Sequence, residues 1–277
     1  MSSTGQGRPT RKEQREQARS ERKSLEAQHA QSQARRRRLM QIGGIAVVAV
    51  VVIAIAVAVG TSGGGSSAPT TAPEKSKAHS EVVSLVSGIP QSGNVLGNPH
   101  APVTLQYFGD LECPICRDFT LGAFPSIVQK FVRSGQLKVE YRSMKTATRE
   151  PTTFQEQQTA ALAAGKQSLG WYFIELFYHN QGEEDSGYVT PAWLKERAQE
   201  VPGLNVAKWE EERHDPALSA QVEKDIEASA AEGFSGTPSL LLIKPGQPTK
   251  KLQTFTNQQL TEASALFEPE IEKMLKS

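Results

Sequence analysis

The sequence predicts an α/β domain carried behind one membrane-spanning helix, and three features predict it. Val103-Thr104-Leu105-Gln106-Tyr107-Phe108 alternates and is rich in strand-forming residues, and a short turn separates it from Cys113-Pro114-Ile115-Cys116 at the head of a helical pattern. Further strand patterns follow at Leu137 to Ser143 and at Ser239 to Ile243, with helical spacing between them. Upstream, Ile45 to Val59 is an unbroken run of Ala, Val and Ile.

The apolar run extends back through Ile42-Gly43-Gly44 to 18 uncharged residues. At about 1.5 Å per helical residue this reaches roughly 27 Å, close to the hydrocarbon thickness of a bilayer. Arg35 to Arg38 precede it, whereas the following stretch is neutral, so positive charge places the amino terminus in the cytoplasm and the bulk of the chain outside. We therefore expect a basic cytoplasmic leader without fixed structure at 1–41, a signal-anchor helix at 42–60, a Gly/Ser/Pro-rich tether at 61–80 and an extracytoplasmic domain at 81–277. The rival is a cleaved signal peptide, because Ala56-Val57-Ala58 resembles a small-residue cleavage site. The long charged leader and the length of the run favour a retained anchor.

Composition narrows the chemistry. The net charge of +1 hides an asymmetry, with 11 Lys/Arg against four Asp/Glu in residues 1–41 and 20 against 26 in the rest. Membrane topology accounts for the basic leader, so nucleic acid is not an expected partner. Two cysteines in 277 residues exclude a disulfide-stapled scaffold, a four-cysteine zinc site and a cysteine-ligated iron–sulfur cluster.

Within the domain, Phe119, Phe124, Ile127, Val128 and Phe131 continue the helix that opens at the cysteines, to an end near Gly135. Thr153 and Glu156 form a capping-box pattern before an alanine-rich helix ending near Gly165. Trp171, Ile174, Phe177 and Tyr178 make an apolar stripe that reads as core rather than as a client groove, and the neighbouring His179 has no assigned role. Thr190-Pro191 and Asp215-Pro216 each place a capping residue before a proline at the first helical position. Gly236-Thr237-Pro238 leads into the strand at Ser239, and Leu252 to Phe255 can pair beside it. Thr256 and Gln259 open a last helix lined by Leu260, Ala263, Phe267, Ile271 and Met274 and interrupted at Pro269.

The cysteine pair carries the chemistry. At a helix start, Cys113 meets backbone N–H groups that lack an intrahelical partner, and these donors favour a thiolate. Such a site lowers a thiol from about 8.5 to between about 3.5 and 7.5. Cys113 is then the exchanging sulfur and Cys116 the resolving one, and Pro114 suits the first turn, where a missing N–H costs nothing. A structural disulfide here would close a very short loop and remove little chain entropy. Metal ligation is the other reading, but none of the five histidines sits in a ligand-like motif, so neither a metal site nor an organic cofactor is expected.

Phe108-Gly109-Asp110-Leu111-Glu112-Cys113-Pro114-Ile115-Cys116, with Gly236-Thr237-Pro238 about 120 residues later, resembles the DsbA-like thiol–disulfide oxidoreductases of the thioredoxin superfamily, in particular their membrane-anchored bacterial members. The resemblance covers Gly93 to the carboxyl terminus. It implies a thioredoxin-like fold with a helical insertion at about 146–233, a cis Thr237–Pro238 bond facing the cysteines, and client binding along Thr237 and Pro238. It also implies client proteins with cysteines and a quinone-linked membrane redox partner. Ile115 departs from the best-known member, which has a histidine there, so strong oxidising power does not carry over. Glu112 reads as a cap of the helix or, alternatively, a proton relay, and its charge would raise a thiol it faced. The expected activity is oxidation of exported proteins. The alternatives are a reductase or isomerase of the same fold, or a non-enzymatic copper-chaperone module using the thiols as soft ligands.

Overall fold

The computed structural model describes residues 77–252 and 264–277. The expected leader, the apolar span at 42–60 and most of the tether lie outside the described residues, as does the Thr256–Gln259 capping pattern. Among the described residues no helix is long and apolar enough to cross a membrane.

Six strands form one mixed sheet in the order β1-β2-β4-β3-β5-β6. They are β1 (Gln91–Ser92), β2 (Val95–Leu96), β3 (Val103–Gly109), β4 (Leu137–Ser143), β5 (Ser239–Ile243) and β6 (Lys250–Leu252). Only β3 and β4 run parallel, with Tyr107 opposite Tyr141. β5 pairs antiparallel with β3, Phe108 facing Ser239, so the strands bearing the cysteine turn and the Thr237–Pro238 turn are neighbours. The crossover from β3 to β4 is α2 (Pro114–Gly122), α3 (Phe124–Ile127) and a π-turn over Val128–Val132. One helical path was expected here. Pro125 lacks the N–H that would continue it, and the chain breaks into these pieces around Ala123.

Alternation on β3 sends Val103, Leu105 and Tyr107 into the main core and Phe108 to the opposite face, where it meets Met144 and Leu241. On the main side Tyr107 meets Phe119 edge-on at 5.1 Å, and Phe124 stacks on Trp171 at 5.0 Å. Each of these fully buried rings contributes roughly 2–3 kcal/mol of transfer free energy. Gly109 closes β3 where only glycine fits, since a Cβ there would lie 2.8 Å from the Tyr141 ring.

Five helices, α4 (Pro151–Lys166), α5 (Gly170–His179), α6 (Pro191–Glu200), α7 (Val206–Glu212) and α8 (Pro216–Ala231), fill the space between β4 and β5. Thr190 and Asp215 cap α6 and α8 as their sequences indicate, accepting from Trp193 N and Ala217 N. The Thr153–Glu156 capping box does not form. α4 starts earlier, with Glu150 as its cap and Pro151 at the first position. Trp171, Ile174, Phe177 and Tyr178 are all buried, so the stripe is core. The half-buried Arg142 pairs with the buried Asp225 at 2.8 Å, and Asp225 also accepts from Ser143 N, fastening α8 to the end of β4.

Three further differences have simple causes. A helix, α1 (Lys77–Val86), begins four residues inside the stretch expected as tether and buries Val82, Leu85 and Val86. The partner of β5 is Lys250–Leu252, so only Leu252 of the expected Leu252–Phe255 strand falls within the described pairing. Pro269 lies inside α9 (Ser264–Lys276) without ending it, and Phe267 and Ile271 on either side of it are buried.

Candidate functional site

β3, central in the sheet, delivers the chain to its own carboxyl end, and Asp110-Leu111-Glu112 turns it, with Cys113 N donating to Asp110 O at 3.0 Å. Cys113 is itself the N-cap of α2, at φ −69° and ψ 118°, and its Sγ accepts from Cys116 N at 3.4 Å. Pro114 occupies the first helical position, as its sequence indicates. Both cysteines are free thiols, Cys113 5% exposed and Cys116 sealed from solvent. Thr237–Pro238 is cis and faces them, and the Cys113 thiol donates to Thr237 O at 3.5 Å. No hydrogen bond from the Thr237 N–H is found among the described residues.

The surroundings separate the two thiols. A hydrogen bond from the Cys116 thiol lowers Cys113 to about 7, outweighing the effect of burial, and the Thr237 side chain and the N–H groups of Ile115 and Cys116 add to it. Burial, and then Cys113 itself, push Cys116 well up. Alkylation of the reduced protein by iodoacetamide is therefore expected to follow a single titration with its midpoint near pH 7, the rate at pH 6 being about a tenth of its plateau. Mass spectrometry should place the label on Cys113 alone, and a midpoint above pH 8 would contradict this. Because the folded value lies below the ordinary one, the reduced form gains stability as pH rises from 7 to 9 and loses it as pH falls through 7. Cys116 stays protonated across that window and contributes nothing there.

Glu112 does not cap α2, because Cys113 does. The Glu112 carboxyl is buried and raised, first by loss of water and then by the neighbouring charges of Asp110 and Asp185. Contacts with the Thr148 side chain and the Asp185 backbone partly offset this. Ile115 is half-buried against the core. His179 lies away from the thiols, 3.5 Å from Glu81 on α1.

Asp110 lies inside the cysteine motif without a role read from the sequence, and its partners and the other supporting residues carry no motif of their own. The Asp110 carboxylate accepts from three successive amides, Thr146 N (2.9 Å), Ala147 N (2.8 Å) and Thr148 N (3.0 Å). It also accepts from the Thr148 hydroxyl at 2.6 Å, while Gln157 donates to that hydroxyl in turn. Gln181, just beyond α5, donates to Leu111 O (2.7 Å) and Cys113 O (3.1 Å). Tyr107 donates to Cys116 O at 3.3 Å, and Tyr178 to Asp110 O at 3.2 Å. The turn bearing Cys113 is thus gripped from the sheet, from the loop after β4 and from the helical insertion. Partners 36 to 70 residues apart leave no local pattern in the sequence.

A polarised thiol beside a second, protonated one, with a backbone N–H alongside that has no partner among the described residues, is equipped for thiol–disulfide exchange with an extended chain. A family model described as Thioredoxin matches residues 91–247. The chain is 28% identical over 162 residues to disulfide bond formation protein D of Bacillus subtilis (strain 168), an alignment covering 56% of this chain and 70% of that protein. The crystal structure of oxidised BdbD from Bacillus subtilis superposes with a TM-score of 0.57 at 25% identity, over 70% of this chain and 99% of that one. Chlamydia trachomatis DsbA, at 16% identity and a TM-score of 0.51 over 75% of this chain and 98% of its own, shares the fold.

Proposed function

This chain belongs to the thioredoxin family as a DsbA-like disulfide oxidoreductase, and from that premise we propose that it is an oxidase, anchored by residues 42–60, that forms disulfides in exported proteins outside the cytoplasmic membrane. The observation that carries the reading is the geometry of the thiol pair, with Cys113 capping α2 and its Sγ 3.5 Å from Thr237 O of the cis turn, and Cys116 buried behind it.

In the oxidised enzyme a client thiolate attacks Cys113 Sγ. The new sulfur–sulfur bond forms as the Cys113–Cys116 bond breaks, and Cys116 leaves and takes up a proton. Thr237 and Pro238 hold the client as an added strand, with the free Thr237 N–H as donor. A second client thiolate then attacks the client sulfur of the mixed disulfide, and Cys113 leaves as a thiolate. The client has lost two electrons and two protons and the enzyme holds both electrons, which pass to a quinone-linked membrane partner. The low value of Cys113 favours its departure in this second step, since a lower leaving-group pKa speeds exchange.

Stabilising the thiolate stabilises the reduced enzyme. At pH 7 a fall from 9 to about 7 stabilises the reduced form by only about 0.4 kcal/mol, roughly 9 mV in a two-electron couple, and the full effect of about 2.7 kcal/mol, roughly 60 mV towards oxidising power, is reached only above pH 9. Equilibration with glutathione buffers is expected to give a potential between about −120 and −270 mV, and a value at or below about −270 mV would make the protein a reductant. A Cys116→Ala variant expressed in the native cell should be recovered disulfide-linked to exported proteins that carry cysteine pairs. Recovery with cytoplasmic proteins would contradict the exterior location, and recovery with cytochrome or metal-site thiols would favour the reductase.

A further inference from the structure

The loop joining β4 to the insertion touches the client-facing strand at one point. Thr146 Oγ1 and Thr237 Oγ1 are 2.5 Å apart, and either can donate. Thr146 is exposed whereas Thr237 is buried, so the contact joins the surface to the turn that faces Cys113. The two ends of this contact are held very differently. Thr146 sits on a loop pinned by hydrogen bonds from three consecutive backbone N–H groups to the Asp110 carboxylate. Thr237 has few restraints. Its N–H has no partner among the described residues, its carbonyl accepts from the Cys113 thiol, and Gly236 before it has open space around its Cα.

The Cys113 contact does not persist through the reaction. A thiolate has no proton to give, and neither has a disulfide sulfur, so whenever Cys113 is reactive or oxidised the Thr237 carbonyl loses its only donor among the described residues. The Thr237 side chain, which also supports the Cys113 thiolate, is then held on its other side by the Thr146 hydroxyl, before β5 begins at Ser239. An extended client needs that segment in a fixed direction, because two strands pair only when their N–H and C=O groups are in register.

We propose that Thr146 is a positioning residue for client binding, its hydroxyl fixing Thr237 so that the Thr237 backbone is presented to a client strand beside Cys113. The inference builds on Cys113 being the exchanging sulfur and on client pairing at Thr237, and it is independent of whether the enzyme oxidises or reduces its clients.

The test uses reduced protein in a Cys116→Ala background, where the reaction stops at the mixed disulfide. Two probes are compared, an extended pentapeptide whose single cysteine carries a thiopyridyl group and the small disulfide 2,2′-dithiodipyridine. Both meet the same sulfur, but only the peptide can pair with Thr237. Thr146→Val, which keeps the branched shape and removes the hydroxyl, is expected to lower the ratio of peptide rate to small-probe rate about threefold to tenfold, the range for one lost hydrogen bond. Thr146→Ser restores the hydroxyl and is expected to return the ratio to within about twofold of the parent. An unchanged ratio in Thr146→Val, or a Thr146→Ser variant as impaired as Thr146→Val, overturns the proposal. A general loosening of the fold would slow both probes together and leave the ratio where it was, which also counts against it. If the parent itself shows no preference for the peptide, client pairing at Thr237 fails and this inference falls with it; an oxidase reading that fails on potential alone leaves the ratio test standing.

Discussion

Replacing Cys113 with serine is expected to reduce thiol–disulfide exchange to background, a loss of about a thousandfold or more, without loosening the protein. The activity disappears because a hydroxyl neither ionises near neutral pH nor forms a disulfide. The fold survives because Cys113 occupies an N-cap position, where its sulfur accepts from Cys116 N, and serine is among the best residues for that role. Urea unfolding at pH 6 should find the variant within about 1 kcal/mol of reduced wild type. At pH 8.5 the two should separate by about 2 kcal/mol, since the stability that reduced wild type gains above pH 7 comes from ionising Cys113 and the variant has nothing there to ionise. Equal stabilities at both pH values would remove the thiolate from the account of this site.

The second large effect concerns stability. Asp110→Ala is expected to cost roughly 3–6 kcal/mol in chemical denaturation. The side chain is fully buried and accepts from the amides of Thr146, Ala147, Thr148 and Glu112 as well as from the Thr148 hydroxyl. Alanine leaves these donors without an acceptor in a place closed to water, and each such orphan costs about 1–3 kcal/mol, partly relieved by relaxation. Asn is not a rescue, because one face of its amide would point N–H groups at N–H groups. The loop after β4 should loosen first, so limited proteolysis near Lys145 is a second readout. A loss below about 1 kcal/mol would mean that water or a rearranged loop replaces the carboxylate.

The sequence made some elements plain because their signals are local. Strand β4 was readable to the residue from the alternation of Leu137, Val139, Tyr141 and Ser143 with outward-facing partners. Helices α6 and α8 announced themselves through a capping side chain followed by proline. For α4 the same logic pointed to the wrong residue. Thr153 and Glu156 have the spacing of a capping box, but Glu150-Pro151 was in place first, and a helix needs one start. Strands β1 and β2 are two residues each, too short for any period to show, and they exist because β2 pairs with β4. At the site, the cysteines and the Thr237–Pro238 turn stand out as motifs. Thr146 and Gln181 do not, and the role of Asp110 within the cysteine motif does not either, for their partners come from remote segments, and only folding brings a loop amide or a turn carbonyl to them.

One feature of the architecture reaches beyond the redox pair. The five-helix segment leaves the sheet by way of Thr146 and returns by way of Thr237, and at that point the outgoing and incoming strands of chain touch. It is in effect a cassette fastened at its own base. Its outward faces are therefore free to diverge, provided that the rings it contributes to the core, the Arg142–Asp225 tie, and the grips on the cysteine turn and its supporting loop from Gln157, Tyr178 and Gln181 are kept. A graft that preserved the base, the core-facing rings and those ties should carry the chemistry unchanged onto a new outer surface.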